Sequence, residues 1–287
     1  MYRDSKWAVS AHGITKEYRR QGRKLRLRSK AGRPAAPKRA LDSVDLQIRR
    51  GEMLAIVGLN GSGKSTLIRI LATLTIPDFG TAEVFGRDVV KDSQEVRRHV
   101  NRVSVEAAFF KEMSPWENLA YAARLYGRGG SGTRDEAIAV LQKLGLPKST
   151  IDRPMKSLSR GQQQKVAIAR SLLTSPSLLL MDEPTTGLDP RSKREVQDFV
   201  RNMHGETNAT VVVSTHDLAE AETLCSRVIV LDRGRVLADA SPKELRSEFG
   251  DNGKASLEEV FLRLTGKTFE DDSEDQDDNH DTGAKAG

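Results

Sequence analysis

The chain has 287 residues, 37% of them hydrophobic and 30% charged, with a formal net charge of +6; this is length enough for a core without disulfide or metal staples and the composition of a globular protein, not a fibre. Cys225 is the only cysteine, which excludes an intrachain disulfide, a cysteine zinc cluster and a dithiol redox pair. Met1 to Lys6 carry no apolar signal core, and no later stretch reaches the roughly 18 uninterrupted apolar residues of a membrane span, so the expectation is a cytosolic protein that meets a membrane only through a partner.

From Trp7 to Val57 the pattern is strand-like, broken by a basic insertion over 19–39 that contains no acidic residue. Leu25 and Leu27 alternate with arginines and allow a small hairpin, while Gly32, Pro34 and Pro37 disfavour regular structure after it. The insertion reads as a solvated loop, or as a surface for anionic lipid headgroups or for the acidic tail at 268–287, which is expected to be disordered. Leu46 and Ile48, then Met53 to Val57, read as strands, the second apolar throughout and therefore central in a sheet. Thr66 to Leu74 has helical spacing and ends before Pro77. Residues from about 92 to 175 look mostly helical, and Ser114-Pro115-Trp116-Glu117 carries a capping box with proline at the first helical position. Ser177 to Met181 and Ala209 to Ser214 read as buried parallel strands, Val228 to Leu231 and Arg235 to Ala238 as a hairpin around Arg233-Gly234, and Pro242 to Phe249 and Leu257 to Leu264 as helices.

Gly58-Leu59-Asn60-Gly61-Ser62-Gly63-Lys64-Ser65-Thr66 fits the G-x-x-x-x-G-K-[ST] pattern and lies between a strand and a helix. Glycines let successive N–H groups point into one concavity, and the helix that follows presents its positive dipole end to the same anion. A nucleoside triphosphate is the fitting ligand: Lys64 reaches the β- and γ-phosphates and the Ser65 hydroxyl coordinates Mg²⁺. The apolar run Leu178 to Met181 ends in Asp182 and Glu183, which alternation sends different ways. Asp182 is expected to hold magnesium through water and Glu183 to act as general base on the attacking water.

Leu158-Ser159-Arg160-Gly161-Gln162 resembles the LSGGQ signature of the ABC (ATP-binding cassette) ATPases, with arginine at its third position. Ser159 caps a helix whose end suits an anion, and the resemblance implies that this end contacts the γ-phosphate bound by an opposing subunit. Pro184 to Pro190, with Asp189, resembles the family's D-loop; Val213-Ser214-Thr215-His216-Asp217 resembles its switch-histidine strand, which implies contact of His216 with the γ-phosphate and attacking water. Tyr18 stands where the family places an aromatic on adenine. One departure concerns the Q-loop: Val103 to Phe110 contains no glutamine, and Glu106 is the nearest match, a carboxylate able to bind magnesium but repelling phosphate.

The resemblance runs from Trp7 to Leu264, and Lys254 to Lys267 is similar to the ends of ABC-2 type exporter ATPases, a group typical of drug, polysaccharide and lipid-linked export. It implies an α/β fold with a P-loop NTPase core and parallel sheet, an N-terminal antiparallel β-subdomain and an inserted helical subdomain, all within an ABC ATPase domain at 1–267. It also implies ATP and Mg²⁺, a separate integral membrane permease, a second ATP-binding subunit expected to be an identical copy, and a place on the cytoplasmic face of the cell membrane. The rival is a soluble ABC-class ATPase acting on nucleic acid or ribosomes, to which a basic patch would be suited. Against nucleic acid, machines of that kind generally carry long coiled coils or two cassettes in one chain, and here only a compact helical insert is expected between Lys64 and Asp182. An ATP-loaded regulator without catalysis is disfavoured by the intact Glu183 and His216.

Overall fold

The computed structural model describes residues 5–18, 37–105, 107–127, 132–250 and 254–266. Most of the basic insertion with its expected hairpin, Glu106 and the acidic tail therefore lie outside the described residues.

The elements in chain order begin with β1 (Trp7–Tyr18) and β2 (Lys38–Arg49), which pair antiparallel. β3 (Met53–Val57) follows and runs through a glycine loop into α1 (Lys64–Leu71). β4 (Phe79–Val84) and β5 (Arg87–Asp88) join β1 and β2 in a four-stranded antiparallel sheet ordered β2-β1-β4-β5. After α2 (Ser93–Arg97) comes β6 (Val100–Val103), then the helices α3 (Pro115–Leu125), α4 (Thr133–Lys143) and α5 (Arg160–Leu172). The remainder alternates: β7 (Leu178–Asp182), α6 (Pro190–Thr207), β8 (Thr210–Thr215), α7 (Leu218–Leu224), the hairpin of β9 (Arg227–Asp232) and β10 (Arg235–Ala240), and the helices α8 (Pro242–Phe249) and α9 (Leu257–Thr265).

The second sheet has six strands ordered β10-β9-β3-β8-β7-β6, parallel except for β10. Every residue of β3, β7 and β8 is buried, as expected for parallel strands covered on both faces. Side chains alternate across the sheet and so divide the core in two. Leu54, Ile56, Leu178, Leu180, Val212 and Ile229 pack with α1 and the antiparallel sheet. Met53, Ala55, Val57, Leu179, Met181 and Val213 pack with the helices of the opposite face, α9 included.

Two sequence expectations are corrected. The stretch from about 92 to 175 opens with the short helix α2 but is then interrupted by Val100–Val103, which forms the edge strand β6 pairing with β7; its two central residues, Asn101 and Arg102, are polar and conceal it. The first helix is also shorter at its end, closing at Leu71. The capping box at α3 is formed as the residues require: the Ser114 hydroxyl accepts from the Glu117 amide at 3.2 Å, and the Glu117 carboxylate accepts from the Ser114 amide at 2.7 Å.

Phe261 is among the largest fully buried side chains and ties the C-terminal helix to the core beneath the parallel sheet. Phe261→Ala is expected to cost about 3–5 kcal/mol, measured by denaturant unfolding; a loss below about 1 kcal/mol, the scale of an ordinary surface change, would mean that α9 is not integral to the core.

Candidate active site

The loop from Gly58 to Gly63 takes its shape from backbone that side chains cannot occupy. Gly61 and Gly63 have φ of +78° and +114°, which L-residues rarely adopt. A Cβ on Gly63 would lie 2.4 Å from the Ala40 carbonyl, and one on Gly58 would lie 2.2 Å from the Leu231 carbonyl. Lys64 opens α1, whose N-cap, Gly63, places no side chain on the first amides. The Ser62 hydroxyl is buried with no hydrogen-bond partner among the described residues. Helix amides without a side-chain cap, an orphaned hydroxyl and a lysine in one concavity are the donors a triphosphate needs.

Lys64 is 4% exposed, and its ammonium donates to the Gly58 and Leu59 carbonyls at 2.6 and 3.1 Å. It also faces Glu183 Oε1 at 3.5 Å. Ser65 turns to the neighbouring strand end, where its hydroxyl donates to Asp182 Oδ1 at 2.9 Å. Asp182 is 1% exposed and also accepts from the Ser214 hydroxyl at 2.8 Å and from Arg102 at 2.8 Å. Ser65 and Asp182 present hard oxygen ligands of the kind magnesium takes, and no cluster of three or more His, Cys, Asp or Glu occurs among the described residues; both fit an ion that draws most of its ligands from phosphate and water.

Glu183 sits just beyond β7 with φ of +50°, a sparsely populated conformation for a side-chain-bearing residue and a frequent mark of functional sites. Its Oε2 lies 3.0 Å from His216 Nδ1 and accepts from the Thr186 hydroxyl at 2.9 Å. Burial opposes its charge, but the hydrogen bond to His216, the Lys64 and His216 charges and the Thr186 hydroxyl outweigh burial and hold the carboxyl at about 2. His216 is raised in return, chiefly by its bond to Glu183, with burial and Lys64 working against its charge and Asp217 favouring it. Behind this pair, buried Glu220 accepts from the Thr185 and Thr215 hydroxyls at 2.7 Å each, joining the segment after Glu183 to the strand before His216.

The signature residues are gathered elsewhere. Ser159 caps α5 in a reciprocal capping box with Gln162, and Asp189 caps α6 by accepting from the Arg191 and Ser192 amides. The two helix starts are interlocked: a Cβ on Gly161 would meet Ser192 Oγ at 2.9 Å, and one on Gly187 would meet the Arg160 guanidinium at 2.9 Å. A largely buried Lys165–Glu195 ion pair continues the contact along α5 and α6. Tyr18 ends β1 opposite Lys38 in register, and the Lys38 ammonium, not Tyr18 itself, is what approaches the glycine loop, 3.8 Å from where a Cβ on Gly61 would stand. Asn60 is exposed on that loop, and Thr66 follows Ser65 in α1.

Sequence reasoning missed Arg102, Ser214 and Thr186. Ser214 was within reach, since it sits two residues before His216 on the strand paired with Asp182; Arg102 carried no local signal.

The His216–Glu183 pair sets a pH window. His216 is raised above its ordinary 6.5, so its contribution to stability is complete below 6.5 and lost as pH rises through the raised value; Glu183 is depressed from 4.5 to about 2, so its share is present above 4.5 and fades as pH falls toward 2. Urea unfolding of the wild type is therefore expected to lose stability more steeply than His216→Ala as pH rises above 6.5; parallel curves would show that the pair is not formed.

A family profile described as "ABC transporter" matches residues 41–186. The daunorubicin/doxorubicin resistance ATP-binding protein DrrA of Streptomyces peucetius is 39% identical over 246 residues, covering 82% of this chain and 74% of that protein. The sulfate/thiosulfate import ATP-binding protein CysA of Rhodopseudomonas palustris is 37% identical over 213 residues, covering 72% and 60%. Among solved structures, the dimeric post-hydrolysis state of the ATP-binding cassette MJ0796 with ADP and Pi superposes with a TM-score of 0.71 at 30% identity, covering 81% of this chain and 98% of that one. The match to the family profile and the similarity to these ATP-binding proteins agree with the glycine loop and the strand-end acids described above, and the chain belongs to the ABC transporter family as an ATP-binding, ATP-hydrolysing subunit that works with Mg²⁺.

Proposed function

We propose that this chain powers an ABC-2 type exporter, two copies binding two ATP head to tail between the glycine loop of one and the signature helix of the other. The observation that carries the reading is the chain of contacts Lys64–Glu183–His216 beside Ser65–Asp182. Lys64 and the loop amides hold the β- and γ-phosphates, and Tyr18 stacks on adenine. Bound Mg²⁺ neutralises charge developing on the transferring phosphoryl group; Ser65 and Asp182 are its proposed holders, Asp182 through water, with Glu106 a further ligand. Glu183 takes the proton of the attacking water, and His216 orients that water against the γ-phosphate. When triphosphate claims Lys64, one of the charges that keep Glu183 weakly basic is shared with the substrate, so Glu183 becomes a stronger base as the site fills. Ser159, Arg160, Gly161, Gln162 and Asp189 belong to the partner's half of each site; hydrolysis removes the γ-phosphate contacts that bind the halves, and the dimer reopens.

Export is supported by the longer match to the resistance protein, 246 residues against 213 for the import protein. No helix among the described residues is long and apolar enough to cross a membrane, which supports a separate permease at the cytoplasmic face. Its proposed seat is the groove of about 620 Å³ bounded by Phe109, Phe110, Tyr121, Leu125 and Tyr126. Phe110 and Tyr121 stack edge to face at 5.0 Å yet are 52% and 46% exposed, an apolar cost that a partner would relieve. The insertion at 19–39 is proposed to rest on anionic headgroups beside that permease.

Glu183→Gln is expected to bind ATP, trap a nucleotide-dependent dimer seen by size-exclusion light scattering, and lower turnover by about 10²- to 10⁴-fold; unchanged turnover would remove Glu183 from the role of base. A polytopic membrane protein is expected to co-purify with the chain from membranes, and to be lost from a Phe110→Ala, Tyr121→Ala variant that still binds ATP. Retention by that variant would move the permease to another surface.

A further inference from the structure

Asp182 has more company than a magnesium ligand needs. Oδ1 is taken by the Ser65 and Ser214 hydroxyls, and Oδ2 by Arg102 Nη2 at 2.8 Å. The acid is 1% exposed and the arginine side chain 18%, so this pair sits where solvent screens weakly and where each charge depends on the other. Arg102 reaches Asp182 from β6, and Asp182 ends the adjacent strand β7. The grip is one-handed: the geometry is a single Nη2 contact, and Arg102 Nε is buried without a hydrogen-bond partner among the described residues. A guanidinium with five donors ordinarily meets a carboxylate in a two-bond fork. This one makes a single bond, so less is lost when it parts than from a two-bond fork. Arg102 also lines the groove that carries Phe109, Phe110 and Tyr121.

We propose that Arg102 is a positioning residue that serves as the counter-cation of Asp182 before nucleotide binds, and that it must yield the carboxylate for the metal to be held. The proposal rests on the reading of Asp182 as a magnesium ligand. Two cations compete for one buried acid, so every interaction that favours Arg102 on Asp182 raises the magnesium concentration needed to load the site, and by reciprocity a loaded site loosens Arg102. Because the same side chain forms part of the groove wall, the exchange links the state of the nucleotide site to the surface on which a partner sits. The arginine thus keeps the acid preorganised and neutralised in the empty subunit, where a bare buried carboxylate would be costly.

The test titrates Mg²⁺ into the full chain at fixed fluorescent ATP analogue and reads the half-saturating concentration. Arg102→Gln, which keeps a hydrogen-bond donor and drops the charge, is expected to lower it about 5-fold or more, the lower end of ordinary coupling between sites, while Arg102→Lys keeps the wild-type midpoint. Thermal unfolding supplies a second readout: Arg102→Gln melts below wild type without ligand, and Mg²⁺ with ATP closes the gap. An unchanged midpoint in Arg102→Gln, with wild-type binding still dependent on Mg²⁺, overturns the role of Arg102 and leaves that of Asp182 standing. A midpoint shifted equally in the lysine variant also overturns it, because shape and not charge would then be at work. Wild-type binding indifferent to Mg²⁺ overturns both.

Discussion

The site is organised around one buried ammonium. Lys64 is held inside its own loop by the Gly58 and Leu59 carbonyls and faces Glu183. Taking such a charge out of water costs several kcal/mol unless partners replace the lost hydration. Those partners dictate the local structure: two carbonyls must turn inward, which the left-handed glycines at 61 and 63 permit, and a carboxylate must arrive from another strand. The ammonium is therefore positioned before any phosphate enters, and its entry requires little reorganisation.

The carboxylate arrives because the parallel sheet has a fixed register. Val57 pairs with Thr215 and Asp182 with Ser214, so the ends of β3, β7 and β8 stand side by side. Ligands of open α/β sheets gather beyond such strand ends. One step past them lie Gly58, Glu183 and His216, the last two separated by a 3.0 Å hydrogen bond. The apolar strand interiors fix where the polar residues emerge, since a slip of one residue would send a charge into the core. The Thr185–Glu220–Thr215 bridge then fastens two of the emerging segments together from behind. The helical insert adds a different kind of element: the starts of α5 and α6 meet so closely at Gly161 and Arg160 that an added Cβ at Gly161 or Gly187 would collide with the other segment.

What could be read in the sequence was whatever is specified locally. The glycine loop announces itself because each glycine answers a steric demand of its own turn, and β3, β7 and β8 because strands buried on both faces are apolar throughout. Strands that are only partly buried escape this logic. In β6 two of four residues are polar and partly buried, and in β4 most side chains are exposed with Gly80 among them, so neither has a continuous apolar run or a clean alternation. Contacts across long separations were hidden for the same reason: Arg102 and Asp182 lie 80 residues apart, and nothing near either residue indicates that the other will neutralise it. The family's missing glutamine was visible as a departure, but Glu106 lies outside the described residues.

The most direct measurement is equilibrium binding of ATP with Mg²⁺ to the purified chain and to Lys64→Met, by calorimetry at constant ionic strength. The wild type is predicted to bind stoichiometrically, and the methionine variant to fold and yet lose nearly all affinity. Equal affinity in the two proteins, or no binding by either, would contradict a preformed phosphate site built on the Lys64 ammonium.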